Sequence, residues 1–195
     1  MQTNLRIRHF ANGISLLLGL FMIAGVYGFG QRRDVETIDA TAFGTSTQLG
    51  RNFGVKLMIY EFSSPEDRDV LVQAFAKGQN AGLVNALEKM KAVGRITIPG
   101  TLGYDVSYIR EIITPTGRTI RFVTNRQIAF GEAYWNTQTK SFNLTAGEIN
   151  LDDNDKSKSG GVLFPSAQLI VNKEGELQWE LNQNSWKLTN IIEWK

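Results

Sequence analysis

Beyond residue 50 the chain carries a period-two pattern interrupted by one helical stretch. From about Phe53 to Phe62, Val55, Leu57 and Ile59 alternate with Lys56, Met58 and Tyr60, which predicts a strand apolar on both faces and therefore central. Ser63-Ser64-Pro65-Glu66-Asp67 marks a helix start. Ser64 can cap, Pro65 suits the first helical position, and the two acids meet the positive end of the dipole. Val70, Leu71, Ala74 and Phe75 share one face, Gly78 breaks the helix, and a second short helix carries Leu83, Val84, Leu87 and Met90. Gly94 ends the pair, and from Arg95 to Lys195 every segment reads as strand or turn.

Two turns suggest register. Thr114-Pro115-Thr116-Gly117-Arg118 fits a three-residue hairpin loop closed by Thr114 and Arg118. That closure places Ile112 opposite Ile120, Ile109 opposite Val123 and Glu111 opposite Arg121, whereas a one-residue slip would face Arg110 with Arg121. Asn172-Lys173-Glu174-Gly175-Glu176 repeats the turn type and sets Val171 opposite Leu177, Leu169 opposite Trp179 and Gln168 opposite Glu180. A further turn at Asn182 to Ser185 would bring Leu181 against Trp186, with Leu188, Ile192 and Trp194 continuing the same phase as a one-sided meander.

Strands are expected near Gln127 to Trp135 and Ser141 to Leu151, joined by an Asn136-Thr137-Gln138-Thr139 turn. In the second, Phe142, Leu144 and Ala146 share a phase that Ile149 and Leu151 do not, which calls for a bulge near Gly147. Together these elements predict an α+β domain: a curved, mostly antiparallel sheet of about 7–8 strands with a pair of short helices inserted after the first strand.

The N-terminal part differs in kind. Arg6 and Arg8 precede a charge-free apolar run, Ile14 to Val26, the basic-then-apolar order of an export signal. Residues 1–30 therefore read as a signal peptide or signal anchor, and the chain as exported, to the periplasm or the extracellular space. Gly28 and Gly30 offer a small-residue pair for cleavage, while the apolar stretch from Phe10 to Phe29 is about long enough to remain as an inner-membrane anchor, so both fates stay open. Residues 31–50 are polar, without an apolar period, and read as a linker or lead-in to a single domain over residues 51–195.

Charge and chemistry sharpen the picture. Arg6 and Arg8 are the only charges of residues 1–30, so 19 of the chain's 21 Lys and Arg remain to balance its 19 Asp and Glu. A neutral domain does not provide the basic face a nucleic acid requires, so no nucleic-acid partner is expected. Membrane contact is expected only through residues 1–30, if they are retained. There is no Cys, and the one His is His9, inside the targeting segment. Imidazole- or thiolate-based nucleophiles, ordinary zinc sites and His- or Cys-ligated haem are thus removed from the domain, and neither a cofactor nor an enzymatic activity is expected.

Several clusters offer candidate chemistry, and none yields a catalytic, cofactor or metal residue. Asp152, Asp153, Asn154 and Asp155 offer oxygen ligands, but taking Asp153 as the first position of a calcium loop puts Lys158 where Gly belongs and Phe164 where Glu belongs, so the stretch reads as a solvated acidic loop. Trp179, Trp186 and Trp194 fall in phase with Leu and Ile and read as core, while Trp135 stands apart beside Tyr134 and could be exposed. Glu61, Asp105, Glu111 and Glu132 are the strand carboxylates from which a glycosidase-like pair would be drawn, with Glu111 expected to pair with Arg121. Asn143-Leu144-Thr145 is a glycosylation sequon relevant only in a eukaryotic host.

The order of strand, two short helices and then antiparallel strands resembles helix-grip folds of the START and plant-allergen type. That resemblance implies an apolar ligand held between sheet and helix. The departure is the C-terminal segment WKLTNIIEWK, a strand where those folds end in a long helix that closes the cavity. The segment SSPEDRDVLVQAFAKGQNAGLVNALEKMKAVGRI, with TPTGR and QNSWKLTNIIEW, resembles an exported bacterial family of no known activity, which implies export and carries over no site. The sequence thus points to an exported, non-catalytic binding or assembly module whose partner is a protein or a small apolar ligand. A carboxylate-only hydrolase and a membrane-tethered structural component of the cell envelope are the alternatives.

Overall fold

The computed structural model describes residues 35–46, 49–128, 142–181 and 184–194, with Leu177 described by its backbone alone. The targeting segment with Arg6, Arg8 and His9 lies outside the described residues, as do Glu132, Tyr134, Trp135, the Asn136 turn, and Asn182 and Gln183 of the last expected turn. In chain order the elements are β1 (Glu36–Gly44), β2 (Asn52–Ile59), α1 (Pro65–Lys89), β3 (Gly94–Thr97), β4 (Tyr104–Thr114), β5 (Gly117–Thr124), β6 (Leu144–Asp152), β7 (Gly160–Val171), β8 (Leu177–Leu181) and β9 (Trp186–Trp194). β1 lies within the stretch expected to be a lead-in. Its inward residues are Ile38, Ala40 and Ala42, and alanine against threonine gives too little hydropathic contrast for a period of two to stand out.

The expected curved sheet is instead a closed barrel. Strand order β6-β5-β4-β3-β2-β1-β9-β7 runs antiparallel throughout, and β7 pairs back onto β6 to complete an eight-strand ring. Closure depends on β7 changing neighbours. Gly161 to Leu163 pair with β9, and Ala167 to Val171 pair with β8, so β9 and β8 lie end to end along one edge of β7 instead of forming the expected Leu181–Trp186 hairpin. Pro165 marks the handover, since a residue without an N–H is tolerated where ladder pairing lapses. Only the Asn172–Glu176 hairpin keeps its expected register, with Leu169 opposite Trp179.

The Thr114–Arg118 hairpin is tighter than expected. Thr114 pairs with Gly117 across a two-residue turn, and Ile109 then faces Phe122, Glu111 faces Ile120, and Arg110 faces Arg121. Gly117 is needed against β6, where an added Cβ would stand 2.1 Å from the Leu151 carbonyl. The disfavoured arginine pair is partly offset on β6, because Glu148 lies opposite Arg121 and accepts from its Nε at 2.7 Å. The bulge expected in β6 near Gly147 is not there: the register shift against β7 sets Leu144 to Ala146 against Ala167 to Phe164, so the extra residue lies on β7. Gly147 has another role: a Cβ there would lie 2.2 Å from the Phe122 ring.

The lumen is filled with side chains, as an eight-strand ring allows. Ile38, Leu57, Ile96, Ile120, Phe122 and Leu188 are all at most 1% exposed. At one end Arg118 on β5 reaches across the ring. Its Nη1 donates to Glu111 on β4 at 2.6 Å, and its Nη2 donates to Glu36 on β1 and Glu193 on β9. Burial opposes the guanidinium charge, but the hydrogen bonds to Glu111, Glu36 and Glu193 outweigh it and hold its pKa above the ordinary value. At the other end, Thr124 Oγ1 accepts from Thr145 N at 3.1 Å, and Thr145 Oγ1 accepts from Ile128 N at 2.7 Å and donates to the Pro165 carbonyl at 2.6 Å.

Removing Arg118 would leave three inward carboxylates without their cation. Arg118→Met is expected to cost about 3–5 kcal/mol in urea unfolding. Adding Glu36→Gln should recover part of the loss, because the two changes meet in one ion cluster.

Candidate functional site

The helix is placed by two anchors on different strands. Ser64 caps α1 in a capping box with Asp67, at 3.2 Å for Asp67 N to Ser64 Oγ and 2.8 Å for Ser64 N to Asp67 Oδ2. Just before it, Ser63 N donates to the Ile109 carbonyl at 2.8 Å and Ser63 Oγ accepts from Ile109 N at 3.0 Å, using a stretch of β4 edge that short β3 leaves uncovered. The expected break is present at Gly78 and Gln79, whose backbones leave the helical region. There Asn80 Oδ1 accepts from Leu169 N on β7 at 3.1 Å, and Asn80 Nδ2 donates to Asn143 Oδ1 at 3.0 Å. One end of α1 is thus fixed to β4 and its kink to β7.

Between those anchors the helix passes over β5 and β6, whose outward residues there include Val123, Ala146 and Glu148. Leu71, Phe75, Leu83, Val84 and Leu87 from α1 pack with Leu144, Tyr108, Val123 and Leu169 into a second apolar cluster outside the barrel. The strands concerned are apolar on both faces, one filling the lumen and one meeting the helix. Such two-faced strands explain why Leu144 and Ala146 run out of phase with Ile149 and Leu151.

Packing on the outer face is incomplete. A half-open groove of about 610 Å³ remains between α1 and the barrel, within the size range of small-ligand sites. Its wall includes Leu71, Phe75 and Leu87 on the helix side and Val123, Val162 and Phe164 on the sheet side, with Trp179 at the edge. The Phe164 and Trp179 rings stack at 6.4 Å and 22°. Polar groups are few: Tyr108, Glu148 and three arginines, Arg68, Arg110 and Arg121. Burial pushes the Tyr108 phenol above its ordinary value, against the lowering pull of Arg110 and Arg68, so at neutral pH its hydroxyl is protonated.

The expected tryptophan core divides three ways. Trp186 is core, 4.7 Å from the Phe53 ring; Trp179 lines the groove; and Trp194 is 56% exposed on the outer barrel wall, where its Nε1 donates to Asp39 at 2.9 Å. In β9 the period of two is lost at Asn190, a positive-φ residue at a register shift against β1, so Ile192 and Trp194 face outward although Trp186 and Leu188 face the lumen. Trp179 keeps its phase, but β8 is outside the ring and its face meets the groove.

Of the candidate carboxylates, the three described ones are each held in a separate ion pair. Glu61 pairs with Lys91 at 2.5 Å, Asp105 with Arg95 at 3.1 Å, and Glu111 with Arg118 instead of Arg121. In the acidic loop, Asp152 Oδ1 accepts from Asn154 N and Asp155 N, and Asp155 Oδ1 accepts from Ser157 N and Oγ, which holds the Asp155 carboxyl below its usual range. Among the described residues, no group of three His, Cys, Asp or Glu is placed to hold a metal ion, and no helix is long and apolar enough to cross a membrane. Nothing in the sequence pattern singles out Tyr108, Arg110 and Phe164 as groove residues, although strands apolar in both phases are the signal that points to an outer apolar surface.

No protein-family model matches the chain, and neither a curated protein nor a solved structure does.

Residues that attach the helix should be separable from those that only line the groove. Leu87 is fully buried, so Leu87→Ala is expected to cost about 2–5 kcal/mol. Trp179→Ala, at a side chain 36% exposed on an edge strand, should cost markedly less in the same denaturation assay.

Proposed function

We propose that the protein is an exported, non-catalytic binding module that holds a small apolar ligand in the groove between α1 and the outer wall of the barrel. The observation that carries this reading is the contrast between a lumen packed with side chains and an apolar groove beside it that is not. Apolar surface left in a concave site and marked by a few polar groups is the usual form of a ligand pocket. The resemblance to helix-grip folds supports it, since those folds hold their ligands between helix and sheet.

The non-catalytic part draws on chemistry. A chain whose one His is His9 and which contains no Cys has few routes to nucleophilic catalysis, and Glu61, Asp105 and Glu111 are each committed to a separate ion pair. Export draws on Arg6, Arg8 and the apolar run that follows them.

An uncharged solvatochromic dye such as Nile red should bind saturably and fluoresce on entering the groove. Val162→Trp, a half-buried position on the groove wall, should abolish that signal without unfolding the protein. Binding that persists unchanged in Val162→Trp, or no saturable binding at all, would contradict the proposal.

A further inference from the structure

The groove's charge identifies its ligand more closely. Three arginines and one glutamate line it, in a domain whose charges balance overall. Glu148 is taken by Arg121 at 2.7 Å. Among the described residues Arg68 has Asp69 as its ion-pair partner, at 3.9 Å with both side chains more than half exposed, and a pair of that kind contributes little. Asp67, the other nearby acid, is held in the helix cap by Ser64 N. Arg110 has no carboxylate partner among the described residues.

Arg110 is exposed and shares its face of the sheet with another cation. It stands directly opposite Arg121 on the neighbouring strand, a like-charge pairing that weakens a sheet. The carboxylate on the β6 side, Glu148, bonds to Arg121 and not to Arg110. A second anion at the groove mouth would complete the set. Beside it the protonated Tyr108 hydroxyl can donate a hydrogen bond.

From these cations the apolar wall continues along both arms of α1, from Leu71 and Phe75 before the kink to Leu83 and Leu87 after it. An apolar groove bordered by Arg110 and the weakly paired Arg68 matches a molecule with one anionic head and one hydrocarbon tail. Resting on the groove reading above, we infer that the ligand is a single-chain anionic amphiphile of the fatty-acid class, its carboxylate held by Arg110 with Arg68 and its tail lying under α1.

Isothermal titration with laurate and with 1-dodecanol, the uncharged counterpart, separates head from tail. Laurate should bind the wild type at least about tenfold more tightly, the equivalent of one charge-assisted hydrogen bond. Arg110→Gln should remove that preference while leaving dodecanol binding intact, and because it also removes the Arg110–Arg121 repulsion its unfolding midpoint should not fall. Raising salt should weaken laurate and not dodecanol. Equal affinities for the two ligands, with no effect of Arg110→Gln, would overturn the head-group assignment and leave the groove standing. Binding of neither would overturn both. Arg110-dependent capture by anionic phospholipid vesicles without affinity for free laurate would overturn it in favour of a membrane surface.

Discussion

Arg118 spans the barrel, and the filled lumen it closes sets the terms for everything outside. β5 stands opposite β1 in the ring, four strands away in either direction, so the bonds from Arg118 to Glu36 and Glu193 join opposite walls. A buried cation is tolerable only with such partners, and carboxylates so placed are tolerable only with the cation. Behind this end, Ile38, Leu57, Ile96 and Phe122 occupy the interior. With these side chains in the lumen, the apolar groove among the described residues lies on the outer surface.

The outer surface is made receptive by the strands under the helix, which carry apolar residues in both phases. Ser63 on Ile109 and Asn80 on Leu169 fix α1 over β4 and β7, so the helix bridges β5 and β6 instead of settling onto them. The small side chain beneath it, Ala146, leaves the space open. Groove size follows from where the two anchors are, and groove polarity from arginines that border it. The proposed ligand would complete both the packing and the charge.

How far the sequence disclosed this depends on how local each determinant is. The Ser64-Pro65 start, the Gly78 break and the Asn172–Glu176 hairpin were legible because capping, helix breaking and turn chemistry act over a few residues. Barrel closure was not, because it rests on β7 exchanging β9 for β8 near Pro165, a pairing between segments remote in sequence. The first hairpin misled for the same reason. Its turn residues fit a three-residue loop, but the close approach of β6 to Gly117 and the rescue of Arg121 by Glu148 favour the tighter register. Phase alone assigned Trp194 to the core, and one positive-φ residue, Asn190, reverses it. The site was hidden by a related ambiguity: Leu144 and Ala146 out of phase with Ile149 read as a bulge, whereas their phase belongs to a second apolar face under the helix.

Methyl-resolved NMR during titration with an apolar ligand compares the two apolar compartments directly, because each is lined by its own Ile, Leu and Val side chains. Shifts are expected at Leu71, Leu83, Leu87, Val123 and Val162 around the groove, with Ile38, Leu57, Ile96 and Ile120 in the lumen unmoved. Shifts centred on the lumen methyls, with those of the groove unchanged, would contradict binding in the groove.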